Sequence, residues 1–166
     1  DIVPEFNLYE EYWKIYTKSD TLPPQYIADN TVVEKCLIGE GTVICGEVYN
    51  SIIGCGVTIE EGTVVRDSII MNDTCIGSGC EINKAIIAEN VEIGNNVKLG
   101  VGEEKENETD PHIYNHGLVT VGEKTYLPDG ISVGKNSVIA GRIKPEDLEN
   151  MSLGSGKTLI KAGDEA

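Results

Sequence analysis

Several features common in proteins are scarce or missing in this sequence of 166 residues. Aromatic residues make up 5% of it, with one Phe and one Trp. No run of about 18 apolar residues predicts a membrane span, and no apolar N-terminal stretch resembles a signal peptide. Basic residues are few, since 13 Lys and Arg stand against 28 Asp and Glu, for a formal net charge of −15. Such an acidic chain repels phosphate backbones and anionic lipids, so we expect neither nucleic acid nor a membrane as a partner.

The five cysteines form neither a C-x-x-C pair nor a cluster with the two histidines. Their spacing therefore argues against a zinc site or a disulfide framework. Cysteines that serve as small apolar residues suit a reducing compartment. We expect a cytoplasmic protein with no metal site in this chain.

What the sequence does contain is a long aliphatic repeat. A large aliphatic residue recurs at steps of six, six and five, so the pattern closes every 17 residues. Neither an amphipathic helix nor a flat alternating strand has this period, whereas three short strands per coil do. We therefore predict an all-β fold, a parallel β-helix of the hexapeptide-repeat type. The clearest members of the series are Ile53, Ile59, Val65, Ile70, Ile76, Ile82, Ile87, Ile93 and Leu99.

A second series of small or β-branched residues accompanies the first. It follows the large residues by four positions on the longer sides of the coil and by three on the short side. Because side chains alternate faces along a strand, both series point to the interior. The series contains Val57, Thr63, Ser68, Thr74, Cys80, Ala85, Val91 and Val97. A two-residue deletion near Gly46 shortens one coil, and aliphatic pairs such as Ile52-Ile53 mark the short sides.

The repeat divides the chain into three segments. Residues 1–26 lack it, and we interpret them as an interdomain linker with a short helix. The aromatic face of that helix is expected to pack against another domain or subunit, and consists of Tyr9, Tyr12, Trp13 and Tyr16. Residues 27–144 are assigned to the β-helix, with a charged, solvated loop extruded at 100–117. Residues 145–166 are predicted to cap the end of the solenoid.

Candidate binding residues are few. Arg66 and Lys84 lie at nearly equivalent corners of successive coils, where clustered cations would suit a small phosphorylated effector. Solvated corner charges balanced by nearby acidic residues explain the same two positions. Gly154-Ser-Gly-Lys157 is not a phosphate-binding loop, because Met151 stands where the pattern needs its first glycine.

The two histidines, His112 and His116, both fall in the predicted loop. Acyltransferases built on hexapeptide repeats use a histidine near such a loop as a general base. No acidic partner can be identified from spacing, so we assign no catalytic residue. A hexapeptide-repeat acyltransferase remains an alternative.

Two parts of the sequence resemble a known family, bacterial ADP-glucose pyrophosphorylase (glucose-1-phosphate adenylyltransferase). The linker that enters its C-terminal domain is similar to 4–9, 13–16 and 22–27 of this chain. The coils of its β-helix are similar to 67–71, 84–90 and 113–117. The resemblance implies a left-handed β-helix, a direction of winding that periodicity alone does not establish.

The resemblance also implies a function. The parent enzyme makes ADP-glucose and pyrophosphate from ATP and glucose 1-phosphate, with magnesium, for glycogen synthesis. Its nucleotidyltransferase domain precedes the part that this sequence resembles, so we expect this chain to hold no cofactor and to be inactive alone. The expected role is oligomerisation and allosteric regulation, and the expected partners are the missing catalytic domain, further copies in a tetramer and a phosphorylated metabolite. The same domain of a related sugar nucleotidyltransferase is a second alternative.

Overall fold

The structure, a computed structural model, describes residues 21–29 and 31–161. The predicted helix and its aromatic residues Tyr9, Tyr12, Trp13 and Tyr16 lie outside the described residues. Twenty short strands make up the described part of the chain. They are β1 (Tyr26–Ile27), β2 (Val33–Glu34), β3 (Leu37–Ile38), β4 (Val43–Ile44), β5 (Glu47–Tyr49), β6 (Ile52–Ile53), β7 (Thr58–Ile59), β8 (Val64–Arg66), β9 (Ile69–Ile70), β10 (Cys75–Ile76), β11 (Glu81–Asn83), β12 (Ala85–Ile87), β13 (Glu92–Ile93), β14 (Lys98–Val101), β15 (Val119–Val121), β16 (Tyr126–Leu127), β17 (Ser132–Gly134), β18 (Val138–Ala140), β19 (Ser152–Leu153) and β20 (Thr158–Ile160).

Each strand up to β15 pairs in parallel with the strand three positions further along the chain, while β19 and β20 pair with β17 and β18. This pairing gives three sheets. Sheet A has the order β1-β4-β7-β10-β13-β16, sheet B the order β19-β17-β14-β11-β8-β5-β2, and sheet C the order β20-β18-β15-β12-β9-β6-β3. Residues 17 positions apart are paired, as Ile59 with Ile76 and Ile76 with Ile93. The structure confirms the parallel β-helix that the repeat predicts.

The core fills the interior of the three-sided solenoid. All members of the large series are at most 4% exposed, and all members of the small series at most 2%. In β10, for example, Ile76 is buried while its neighbour Cys75 is exposed. The same pattern of a buried second residue and a less buried first residue holds in β4, β6, β7, β9, β13 and β16.

The polar members of the small series tie one coil to the next. The Thr63 hydroxyl donates to the carbonyl of Gly77 at 2.6 Å and accepts from the N–H of Cys80 at 3.0 Å. The Cys80 thiol donates to the carbonyl of Gly94 at 3.1 Å and accepts from the N–H of Val97 at 3.4 Å. Burial raises the pKa of the Cys80 thiol, which keeps it protonated. These side chains form hydrogen bonds with backbone groups at the corners of the coils, where the backbone turns away from the sheets.

The predicted deletion lies between β4 and β5. The inward residues Ile44 and Val48 are four positions apart, whereas their counterparts Ile59 and Val65 are six apart. The shortened corner brings Gly46 so close to the carbonyl oxygen of Thr63 that a side chain there would overlap it. The residue at this corner therefore has to be glycine.

Strands of the solenoid recur in the C-terminal part of the described chain. β14 runs on to Val101, and β19 and β20 extend sheets B and C. A 3-10 helix, Pro145–Asp147, precedes Leu148, which is 8% exposed and packs on the core. The division into linker, β-helix and cap stays a prediction. No helix within the described ranges is long and apolar enough to cross a membrane.

Candidate functional surfaces

An aliphatic column runs along the outside of sheet C. The residues Leu37, Ile52, Ile69 and Ile86 pair with one another in register on β3, β6, β9 and β12, and each points away from the core. Ile52 and Ile69 are 46% and 39% exposed, and Leu37 and Ile86 are half-buried. With strands about 4.8 Å apart, the four side chains form a strip about 15 Å long. We call this set (Leu37, Ile52, Ile69 and Ile86) the outer strip.

Charged and amide side chains border the outer strip at the corner between sheets B and C. Lys35, Asn50, Asp67 and Lys84 occupy equivalent positions in four successive coils, all with positive φ. The amide of Asn50 donates to the carboxylate of Asp67 at 2.7 Å. A shallow, open depression lies between this column and the strip, lined by Lys35, Leu37, Asn50, Ile52, Asp67 and Ile69 among others. An apolar strip with a polar border is typical of a protein–protein contact.

The two predicted effector residues have different surroundings. Their backbones are joined, since the Lys84 N–H donates to the Arg66 carbonyl at 3.1 Å. Arg66 ends β8 and lies over the ring of Tyr49, 4.9 Å from its centroid. The Tyr49 hydroxyl donates to Glu47, and this hydrogen bond raises the pKa of Tyr49. Arg66 is thus held flat on sheet B rather than pointing freely into solvent.

Lys84 lies beside the predicted loop. A methyl group placed on Gly117 would be 3.7 Å from Cδ of Lys84 and 3.8 Å from Cδ of Lys135. Among the residues that the structure describes, no carboxylate oxygen lies within 4.0 Å of the ammonium nitrogen of either lysine. Oε2 of Glu104 is 3.5 Å from the same methyl position, so a carboxylate of the loop lies beside the two lysine side chains, a grouping that the sequence spacing did not reveal.

The loop folds back onto the last coils, although most of its residues are exposed. Asn107 is 3% exposed, and its amide donates to the carbonyl of Asn136 at 2.8 Å. The amide of Asn136 donates to the Lys105 carbonyl at 2.8 Å, and its oxygen accepts from the Gly117 N–H at 2.7 Å. These bonds hold both halves of the loop against the solenoid.

The far side of the loop is held by Gly154–Lys157, the segment that superficially resembles a phosphate-binding loop. The carboxylate of Glu108 accepts from the ammonium of Lys157 at 2.5 Å, and this hydrogen bond lowers the pKa of Glu108 and raises that of Lys157. Gly156, with φ +76°, lies against the carbonyl oxygen of Glu106. Only glycine fits there, because a side chain would be strained and would overlap the loop. The segment is a corner that receives the loop.

The structure gives the two histidines no catalytic surroundings. His112 and His116 are both exposed on the loop. Within residues 21–29 and 31–161, no hydrogen bond to either imidazole is found, and no group of three His, Cys, Asp or Glu side chains is placed to hold a metal ion. A general base usually has a partner that orients it. Neither histidine has one in this part of the chain.

Sequence comparison places the chain among proteins with the same repeat. The family model described as "GlmU-like, C-terminal hexapeptide" matches residues 24–121. Glucose-1-phosphate adenylyltransferase of Lachnospira eligens is 60% identical over 164 residues, which cover 99% of this chain and 39% of the relative. The enzyme of Acetivibrio thermocellus is 43% identical over 162 residues, covering 98% of this chain and 38% of the relative. The same-named enzyme of Thermotoga maritima is 44% identical over 158 residues, or 95% and 37%.

The chain therefore spans less than two-fifths of the length of these relatives, and it aligns with their C-terminal part. Among solved structures, a mutant of perosamine N-acetyltransferase from Caulobacter crescentus, in complex with CoA and GDP-perosamine, covers 84% of this chain and 54% of its own, at 19% identity. Its TM-score of 0.33 is too low to support a shared function. By its repeat, its three parallel sheets and the family match, the chain belongs to the GlmU-like C-terminal hexapeptide family and is similar throughout to the C-terminal part of glucose-1-phosphate adenylyltransferases.

Proposed function

We propose that this chain is the oligomerisation and regulatory domain of a glucose-1-phosphate adenylyltransferase, which makes ADP-glucose from ATP and glucose 1-phosphate. The observation that carries the proposal is the alignment of nearly the whole chain, at up to 60% identity, with the C-terminal part of enzymes of that name. Nucleotidyl transfer is assigned to the part of those relatives that this chain does not cover. Magnesium with ATP would act there, in a cytoplasmic enzyme of glycogen synthesis.

The outer strip supports the oligomerisation half of the proposal. Ile52 and Ile69 expose apolar surface in register on adjacent strands. Apolar surface left in contact with water does not stabilise a monomer. A column repeated from coil to coil is also suited to meet a second copy of itself across a two-fold axis. The occupant that we assign to the strip is another subunit, within a homo-oligomer that we expect to be a tetramer.

The regulatory half of the proposal involves Arg66 and Lys84. Their main chains are hydrogen-bonded, and Lys84 shares its surroundings with Lys135. Clustered cations suit the phosphate of a small metabolite. We propose that a phosphorylated effector binds on this side of the solenoid and acts through contacts with the catalytic domain.

Assays of two proteins test the proposed enzyme. The isolated chain should form no ADP-glucose from ATP, glucose 1-phosphate and magnesium, whereas the enzyme that joins it to a nucleotidyltransferase domain should form it. Formation of another nucleotide sugar by the longer protein would assign the domain to a related sugar nucleotidyltransferase. Acetyl transfer from acetyl-coenzyme A that is lost in His112→Ala or His116→Ala would favour the acyltransferase instead.

The effector assignment has its own test in the longer enzyme. Lys84→Ala should reduce the response of ADP-glucose synthesis to a sugar phosphate that activates the unmodified enzyme. Lys124→Ala is the matched control, because Lys124 is an exposed lysine on a different corner. Equal responses from the two variants would remove Lys84 from the effector site.

A further inference from the structure

The first coil leaves one end of the solenoid core open. Ile27, the first inward residue of sheet A, is 46% exposed, whereas Ile44, paired with it in the next coil, is 0% exposed. Val33 and Ile38, the inward residues of the other two sides, are also partly exposed, while Val48 in the second coil is fully buried. The three inward residues of this coil thus form an apolar end face.

The opposite end of the same column is closed. Ile143 is the last inward residue on the side of sheet A, and it is 0% exposed. Leu148 follows it and packs on the core with 8% of its surface exposed. A solenoid needs a cover at both ends, because an open end exposes core side chains and the edges of its first strands. On the side of sheet A, the described residues therefore supply a cover at the C-terminal end, whereas Leu153 and Leu159, the last inward residues of sheets B and C, are partly exposed.

The chain that enters the first coil is anchored next to the open end. The carbonyl of Pro23 accepts from the Gly41 N–H at 2.7 Å. A methyl group placed on Gly41 would lie 3.0 Å from the side chain of Leu22, so the leucine packs directly on the first corner. Twenty residues precede Thr21 in the sequence. Tyr16 is six residues before Leu22, a separation that spans at most about 20 Å when fully extended, so the end face is within reach of this part of the chain.

We propose that the aromatic residues of 1–20 cover this end face in their own chain. Tyr9, Tyr12, Trp13 and Tyr16 fall on one side of the helix that the sequence predicts there. Aromatic side chains bury a large apolar area at a small cost in side-chain entropy. They are therefore suited to cover the aliphatic side chains at the open end of the core. The short tether keeps the segment at a high effective concentration near Ile27. This inference does not depend on the proposed enzyme.

Trp13 is the only tryptophan in the chain, so its fluorescence reports directly on the contact. In the folded chain of 166 residues, its emission should lie at shorter wavelength than in denaturant and should resist quenching by acrylamide. Both properties should be independent of protein concentration over a wide dilution series. Ile27→Asp and Val33→Asp place a charge on the end face, and each should shift the emission to longer wavelength and increase quenching.

Ile160→Asp is the matched control, because Ile160 is a 63% exposed isoleucine on β20, in the last strand of the solenoid. It should leave the Trp13 emission unchanged. Circular dichroism of each variant verifies that the solenoid is still folded. We expect the Ile27→Asp variant to fold, because Ile27 is already 46% exposed. A fourth variant, Trp13→Ala, should lower the unfolding temperature, and its effect should not add to that of Ile27→Asp.

Two results would overturn the proposal. A Trp13 emission that is solvent-like in the folded chain would mean that the segment does not reach the end face by itself. An emission that moves to longer wavelength on dilution would mean that a second copy makes the contact. In the expected case, the end of the solenoid is closed within one chain before any domain or subunit binds.

Discussion

Each inward side chain of the solenoid is stacked between the equivalent residues of two neighbouring coils. Ile76 lies between Ile59 and Ile93 and is 1% exposed, so no solvent reaches a polar group placed there. Its chain neighbour Cys75 is exposed on the outer face of the same strand. The pair therefore allows the same substitution to be compared on the two faces of a single strand.

Ile76→Asp should destabilise the chain by about 3–5 kcal/mol, because it buries a carboxylate without a partner. Cys75→Asp should change stability by less than about 0.5 kcal/mol, as substitutions on exposed faces usually do. Urea unfolding monitored by circular dichroism measures both. Equal midpoints for the two variants would show that the assigned register is wrong.

The polar residues inside the solenoid allow a second comparison at this scale. Thr63→Val keeps the shape of the side chain and removes its bonds to the Gly77 carbonyl and the Cys80 N–H. Leaving two buried backbone groups without partners should cost about 1–3 kcal/mol. Thr58→Val, on the outer side of β7, should be close to neutral. If both variants unfold at the same temperature, the corner hydrogen bonds do not contribute as described.

At the scale of elements, the loop between β14 and β15 shows what the sequence could not predict. Its charge and its lack of a repeat indicate a loop, and the structure agrees on that point. Its docking depends on Asn107, which bonds to residues 29 and 51 positions away. No local pattern encodes such pairs, because they form only when the last coils are already in place. A glycine with positive φ at Gly156 is compatible with many turns and does not specify this one.

The Glu108–Lys157 ion pair makes this docking sensitive to acid. The hydrogen bond from Lys157 lowers the pKa of Glu108 in the folded chain, so the pair stabilises the fold at neutral pH. That contribution is lost as the pH falls through the lowered pKa, where the carboxylate becomes protonated. Glu108→Gln should therefore lower the unfolding temperature at neutral pH and have no effect in strong acid.

Thermal unfolding across a pH series measures this difference. Glu103→Gln is the control, because Glu103 is an exposed carboxylate of the same loop. Its curve should run parallel to that of the unmodified chain at every pH. A constant offset for Glu108→Gln at all pH values would assign the effect of the substitution to packing rather than charge.

For the whole molecule, the repeat predicted the fold because every coil obeys the same inward pattern. The orientation of the outer strip follows from the repeat, because Ile53 and Ile70 belong to the inward series and their neighbours Ile52 and Ile69 must face outward. The structure agrees, since Ile53 and Ile70 continue the buried columns. The left-handed winding came from the family resemblance, since a 17-residue period fits either hand.

The outer strip allows the proposed assembly to be tested separately from folding. If a second subunit covers the outer strip, a charge in its centre must be buried without a partner when the subunits meet. The folding of the single chain is unaffected, because the first residue of β9 does not enter the core. Assembly and folding can therefore be separated by one substitution.

Sedimentation velocity of the longer enzyme proposed above, carrying Ile69→Asp, tests the role of the strip most directly. The variant should form a smaller assembly than the unmodified enzyme at equal concentration, with at least about 2 kcal/mol lost per interface. Cys75→Asp, an exposed position on sheet A, should sediment like the unmodified enzyme. A folded Ile69→Asp variant with an unchanged sedimentation coefficient would contradict the assignment of this solenoid face to subunit assembly.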